Sequence, residues 1–382
     1  MSCLANNNIE KDFLAMNKKV RVIAFYLPQY HPTLDNDTWW GKGFTEWTNV
    51  GKAKPLFRGH YQPKVPADLG YYDLRLPEVR EAQAQLAQEA GIGGFCYYHY
   101  WFGNGKQELE LPFNEVLRFG KPNFSFCLCW ANEAWHSKFW NKDGSIQKKC
   151  LIEQKYDTEE GHIKHFKTLL PAFKDNRYIC VDGKPLFMIY KPFEFEGVSE
   201  FIALWNLLAK ENGLKGIHFV AHLFQNINQV TVDKLHLMGF DSVNTMGLHI
   251  GFGAKRSLIN RLWGRIEMAI NGIPRAKEYK NTYPYFLSDI DKNEDVYPTL
   301  IPNWDHPPRS GAAGTVLLNS TPELFKKHIR EVMNVISQKE NKVVFLKSWN
   351  EWGEGNYMEP DLKYGHGYID ALREELNAQN LR

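Results

Sequence analysis

One pattern constrains this chain more than any other. Eight short apolar runs, each suited to a buried strand, recur along its length with helical patterns between most of them. The runs are 21–27 (RVIAFYL), 92–98 (IGGFCYY), 124–130 (FSFCLCW), 186–191 (LFMIYK), 217–222 (IHFVAH), 241–246 (DSVNTM), 298–304 (PTLIPNW) and 343–349 (VVFLKSW). Continuous apolar runs of this kind are what a parallel sheet buries on both faces. The stretch 76–91 places Val79, Ala82, Leu86 and Ala90 on one predicted helical face and stops at Gly91. Residues 158–173, 198–213 and 321–340 read the same way, the last with Thr321 as N-cap and Pro322 at the first helical position. Eight strands alternating with helices predict an α/β fold, a (β/α)8 TIM barrel, over an open doubly wound sheet. The expected organisation is an N-terminal extension at 1–19 and a single barrel domain over 20–382. The long connections 28–75 and 247–297 are expected to be binding loops or lids.

Composition removes several classes of function. A net charge of +2 over 382 residues gives no case for nucleic acid as partner. The basic stretch GAKRSLINRLWGR is local and reads as a solvated face. No apolar run reaches the length of a membrane span, and residues 1–19 lack the apolar segment of a secretory signal. Cys96, Cys127 and Cys129 lie inside strand-like runs, where a thiol behaves as a small hydrophobe, and no Cys/His spacing suggests zinc. A cytoplasmic, reduced protein without metal or cofactor is expected.

In a β/α barrel the C-terminal strand ends form the active-site face. Here those ends supply Tyr26, Gln29, His31, Tyr97, Tyr98, His99, Trp101, Trp130, Asn132, Glu133, Tyr190, His222, Trp304, Trp349, Asn350 and Trp352, with Glu46 and Trp47 in the first long connection. A single aromatic or histidine at such a place is more often core packing than a ligand contact. The pairing of an aromatic with an amide, carboxylate or imidazole at nearly every end points to sugars. Rings accept the C–H faces of a sugar, and polar side chains bind its hydroxyls. An oligosaccharide or polysaccharide substrate is therefore expected.

The last strand carries the chemistry. After it come Trp349, Asn350, Glu351, Trp352, Gly353 and Glu354. Glycoside cleavage uses two carboxyl groups, one protonated and one ionised. Two Glu at i and i+3 in a helical turn lie on one side, with Cβ atoms roughly 5–6 Å apart. Burial beside tryptophan and a neighbouring like charge would raise the pKa of one partner. Glu351 and Glu354 are the candidate catalytic residues, with Glu133 and Glu46 behind them. The bland alternative is a helix N-terminus decorated with acids.

The blocks AFYLPQYHP, WWGKGFTEWTNV, GIGGFCYYHYWF, CLCWANEAW and SWNEWGEGNYMEP resemble the WbsX-type proteins, which are similar to glycoside hydrolase family 99 and are found in lipopolysaccharide, O-antigen and capsule biosynthesis settings. The resemblance runs over roughly 20–375. It implies a barrel, no metal, Glu351 as the base on a sugar 2-hydroxyl, Glu354 as general acid and then base, and Tyr26 and Glu46 in the sugar cleft. The first strand, FYLPQYH, departs from the secreted mannosidases, so mannose itself does not carry over. A retaining glycoside hydrolase or transglycosidase acting on an envelope glycan is the reading. The alternative is a sugar-nucleotide glycosyltransferase, for which DND at 35–37 and DID at 289–291 match a DxD triplet without following a predicted strand.

Overall fold

The computed structural model describes residues 19–140, 146–254, 270 and 272–379, with the side chains of 137–148 also left undescribed. Residues 1–18 of the expected extension at 1–19, and most of the basic stretch at 253–265, lie outside them. The strands are β1 (Arg21–Tyr26), β2 (Gly94–Trp101), β3 (Phe126–Trp130), β4 (Lys184–Ile189), β5 (His218–Leu223), β6 (Ser242–Thr245), β7 (Val296–Tyr297 with Thr299–Leu300) and β8 (Val343–Leu346). Each pairs in parallel with the next, and β1 pairs with β8 in the register Arg21↔Val343 through Ala24↔Leu346. Each of the eight predicted runs overlaps one of these strands, the seventh only at Thr299–Leu300.

Strand β7 is interrupted at Pro298, which has no N–H to donate to a ladder. Val296–Tyr297 pairs with β6, Thr299–Leu300 pairs with β8, and the Pro298 carbonyl accepts from the Phe345 amide at 2.9 Å. The ring is thus parallel throughout and closed except at this joint.

Helices α1 (Pro77–Ala90), α2 (Leu111–Phe119), α3 (Glu159–Phe173), α4 (Val198–Glu211), α5 (Gln229–Leu237), α6 (Leu248–Gly253), α7 (Pro322–Ile336) and α8 (Gly367–Ala378) follow the strands in turn. The Thr321 hydroxyl caps α7 by accepting from the Leu324 amide, and Gly91 ends α1 at φ +87°. The predicted face of α1 is rotated, however. The buried set is Arg80, Gln83, Ala84, Ala87 and Ala90, while Val79, Ala82 and Leu86 are only half-buried. The polar pair goes inward because it finds partners there. Arg80 donates to the Leu74 carbonyl and Gln83 bonds Tyr26 and Glu359.

The first long connection holds two short helices, Leu34–Trp40 and Glu46–Gly51, and the end of β3 runs into a hairpin, Trp135–Trp140 with Ile146–Ile152, that the strand pattern does not predict. The DID triplet is structural. Asp291 is buried, accepts from the amide and hydroxyl of Ser288 and bonds Thr245.

Candidate active site at the end of the eighth strand

Strand alternation decides which side chains reach the barrel mouth. In β2, Tyr98 turns inward. Its ring stacks on Phe25 of β1 at 5.5 Å and meets Tyr190, beyond β4, edge-on at 6.0 Å. Tyr190 in turn stacks on His222 of β5 at 4.8 Å with 12° between the planes. Burial holds the His222 imidazole near pKa 3, hence neutral, with Nδ1 bonded to the Asn244 side-chain oxygen. Lys347, directly after β8, is buried and donates to the Tyr98 hydroxyl at 2.6 Å while lying over the Phe25 and Tyr98 rings. These groups form an aromatic, cationic floor.

Above it, Asn350–Glu351 pairs with Asn356–Tyr357, and between them Trp352–Glu354 makes a single 3-10 turn. The predicted helical turn is no more than this. It still brings both acids together, because Arg309 reaches them from Pro307–Ser310 beyond β7. One guanidinium nitrogen donates to Glu354 at 2.7 Å and the other to Glu351 at 2.8 Å. The latter also lies 3.0 Å from Glu46, to which Nε donates at 3.2 Å. One cation therefore serves three carboxyl groups.

The consequence is an unequal pair. Burial pushes Glu351 up to about 8, with Glu354 and Glu46 adding to the shift and Arg309 opposing it. Burial pulls Glu354 upward too, but Arg309, His306 and Lys347 outweigh it and hold that group down at about 2. Near neutral pH Glu351 carries a proton and Glu354 does not. A buried cluster of three acids around Arg309 cannot cheaply hold every acid ionised, and here Glu351 keeps its proton.

Both glycines of the turn have structural reasons. A Cβ on Gly353 would overlap the Glu46 carboxylate. Gly355 has φ +68°, and a side chain there would collide with Lys64 and Asp305. Gly353 is thus required for close approach and Gly355 for backbone conformation.

Several predicted binding residues stand behind this site. Tyr26 points out to α1, donating to Gln83 at 2.7 Å. Trp352 is buried, stacks on Tyr357 at 3.7 Å and donates to Glu359 at 2.7 Å. Glu359 also accepts from Tyr72 and Gln83. Trp47 packs on Tyr30, Tyr72 and Trp352, and the Asn350 amide ties Leu27 to the turn from both its N–H and C=O. These contacts brace the turn.

Others face the helices. His99 meets His165 of α3 at 2.8 Å, Trp101 stacks on that same imidazole and donates to Asp157, and Trp130 packs on Phe195 and Phe201. Tyr97 packs on Phe113 of α2, and Trp349 on Phe95. His31 is buried against the Pro28 carbonyl, and Asn132 joins Lys191 to Tyr156. Trp304 is buried beside His306, Gln29 is half-exposed with its carbonyl on the Glu46 amide, and Glu133 lies 3.6 Å from Lys191. Of the predicted set, the structure gathers Glu351, Glu354, Glu46, Tyr98, Tyr190 and His222, with Glu133 near enough to Glu354 and Tyr190 to interact with both electrostatically. Arg309 and Lys347 were missed. A lysine closing the otherwise apolar run of β8 is a readable signal, whereas Arg309 acts across 42 residues from a proline turn with no periodic pattern.

Residues 22–372 match the family described as Glycosyltransferase WbsX. The chain belongs to that family. Two curated relatives, both called WxcX and from two strains of Xanthomonas campestris pv. campestris, are 34% identical over 364 residues, which is 93% of this chain and 49% of theirs. The chain thus spans about half the length of the curated relatives it matches. Among solved structures, a protein described as glycoside hydrolase-like superposes with a TM-score of 0.59 at 14% identity, covering 94% of both chains. The GH99 endo-alpha-mannosidase from Bacteroides thetaiotaomicron gives 0.54 at 13% identity, covering 94% of this chain and 96% of that one. At such identities the likeness is one of fold, and the fold is that of a family-99-like barrel. Among the described residues, no helix is long and apolar enough to cross a membrane.

Proposed function

We propose that this chain is a carbohydrate-active enzyme that acts at glycosidic bonds through Glu351 and Glu354, by retaining hydrolysis or transglycosylation of an envelope glycan. The observation that carries the reading is the shared guanidinium: two carboxyls on adjacent nitrogens of Arg309, one protonated and one ionised. That is the charge state glycoside chemistry needs, one carboxyl to donate a proton and one ionised partner. The resting charges favour Glu351 as proton donor to the leaving oxygen and Glu354 as the ionised partner, the reverse of the order implied by the resemblance. Tyr98, Tyr190 and His222 would support the sugar from the floor. The barrel-core thiols Cys96, Cys127 and Cys129 suit a reducing cytoplasm.

A second reading, sugar transfer in polysaccharide assembly, is favoured by the family's own description. Incubating envelope oligosaccharides with the wild type and Glu354→Gln, read by mass spectrometry, separates the two. Cleavage products expected from the wild type and absent from the variant support the first. Products heavier by one sugar, formed only with a nucleotide donor and a divalent cation, would replace it with the second.

A further inference from the structure

Arg309 faces two ways. Its guanidinium holds the carboxyl triad, and it also lines a cavity of about 440 Å³, within the size range of small-molecule sites. Its other walls include Lys52 and Lys54, just past the Glu46–Gly51 helix, Gln62, and the apolar Leu56 and Pro308. No carboxylate lines this cavity. Among the described residues neither lysine meets an acidic partner, and both are exposed. Gln62 is the more telling wall. It is 7% exposed, and neither its side-chain oxygen nor its nitrogen has a hydrogen-bond partner among the described residues. A buried carboxamide with both ends unmet is costly unless a ligand or an ordered water bonds it.

We propose that this cavity binds an anionic group, a phosphate or carboxylate, borne on the sugar substrate. The two ammonium groups would take the anion through charge-assisted bonds, and Gln62 would take sugar hydroxyls, which both donate and accept. Because Arg309 belongs to both places, the anion would sit next to the reacting bond. The proposal rests on the carboxyl-pair reading for its substrate class. Two sources fit the chemistry: the diphosphate of a glycosyl donor, or the carboxylate of an acidic sugar within the glycan.

The test is calorimetric titration of the full chain with pyrophosphate, glucuronate and glucose, repeated at raised salt. Pyrophosphate or glucuronate is expected to bind more tightly than glucose, and to lose affinity with salt as exposed charge pairs do. The Lys52→Ala/Lys54→Ala double variant is expected to bind the anion about tenfold or more weakly, and Gln62→Leu to weaken glucuronate, which carries hydroxyls, while leaving pyrophosphate in place. Binding of pyrophosphate alone assigns the cavity to a donor, and binding of glucuronate alone to an acidic glycan. An anion no tighter than glucose, or unaffected by loss of both lysines in a protein that melts like the wild type, overturns the proposal. Binding is read without turnover. Inactivity on every glycan would therefore remove the carboxyl-pair reading alone, and an indifferent lysine pair would remove this one alone.

Discussion

The turn after β8 and the end of β2 are built from similar residues, and they do opposite work. Around the turn, Glu351, Glu354 and Glu46 converge on Arg309 over the floor made by Tyr98 and Lys347. Along β2, His99 and Trp101 alternate with Tyr98 and Tyr100 and face α3, where His99 and Trp101 pack on one buried imidazole. Burial drives the His99 and His165 side chains far below the usual histidine range, so that pair is neutral and structural. An aromatic beside a polar group therefore carries no function by composition. The face of the strand decides it.

The comparison can be broken most sharply at the acids. Glu351→Gln keeps the shape of the protonated group but removes its proton, and turnover should fall by about 10²–10⁴-fold, the usual worth of a general acid. A variant with near-wild-type turnover would reduce the triad to a structural cluster. The pH profile sharpens the same point. If Glu351 donates, activity should fall as pH rises through about 8, by roughly tenfold per unit beyond it, with no acidic limb until Glu354 takes a proton near 2. Stability follows with a definite sign. The folded Glu351 sits above its ordinary value of 4.5, so its contribution is full below that pH and is lost as pH rises through about 8. Denaturant melts of Glu351→Gln should lose this slope.

Smaller effects come from the frame. Gly353→Ala forces the Glu46 carboxylate aside and should cost about 1–3 kcal/mol in unfolding free energy, with a drop in turnover that Gly355 variants need not share. On the β2 side, Trp101→Phe removes the bond to Asp157 and should cost about 1 kcal/mol while leaving kcat and KM in place. A kinetic effect there would mean that the outward face couples to the mouth after all.

The barrel was legible because each strand is a continuous apolar run bounded by turns, and the Glu pair because its motif is local. Three things were not. The inward or outward sense of a fully buried strand leaves no trace when both faces are aromatic, so Tyr26, His99, Trp101 and Trp130 were read with Tyr98. The face of α1 was misjudged because Arg80 and Gln83 are polar yet satisfied within the fold. Arg309 was hidden because what makes it central is distance in space, not neighbours in sequence.

Pro298 has a mechanical consequence. A hoop is as stiff as its least-stitched joint, and here that joint adjoins the strand whose far end bears the acids. Slow breathing of the cylinder should begin there. Deuterium uptake by Phe345 and Leu346 ahead of Phe95 and Cys96 would register the ring's first yielding, in the strand that leads to Glu351 and Glu354.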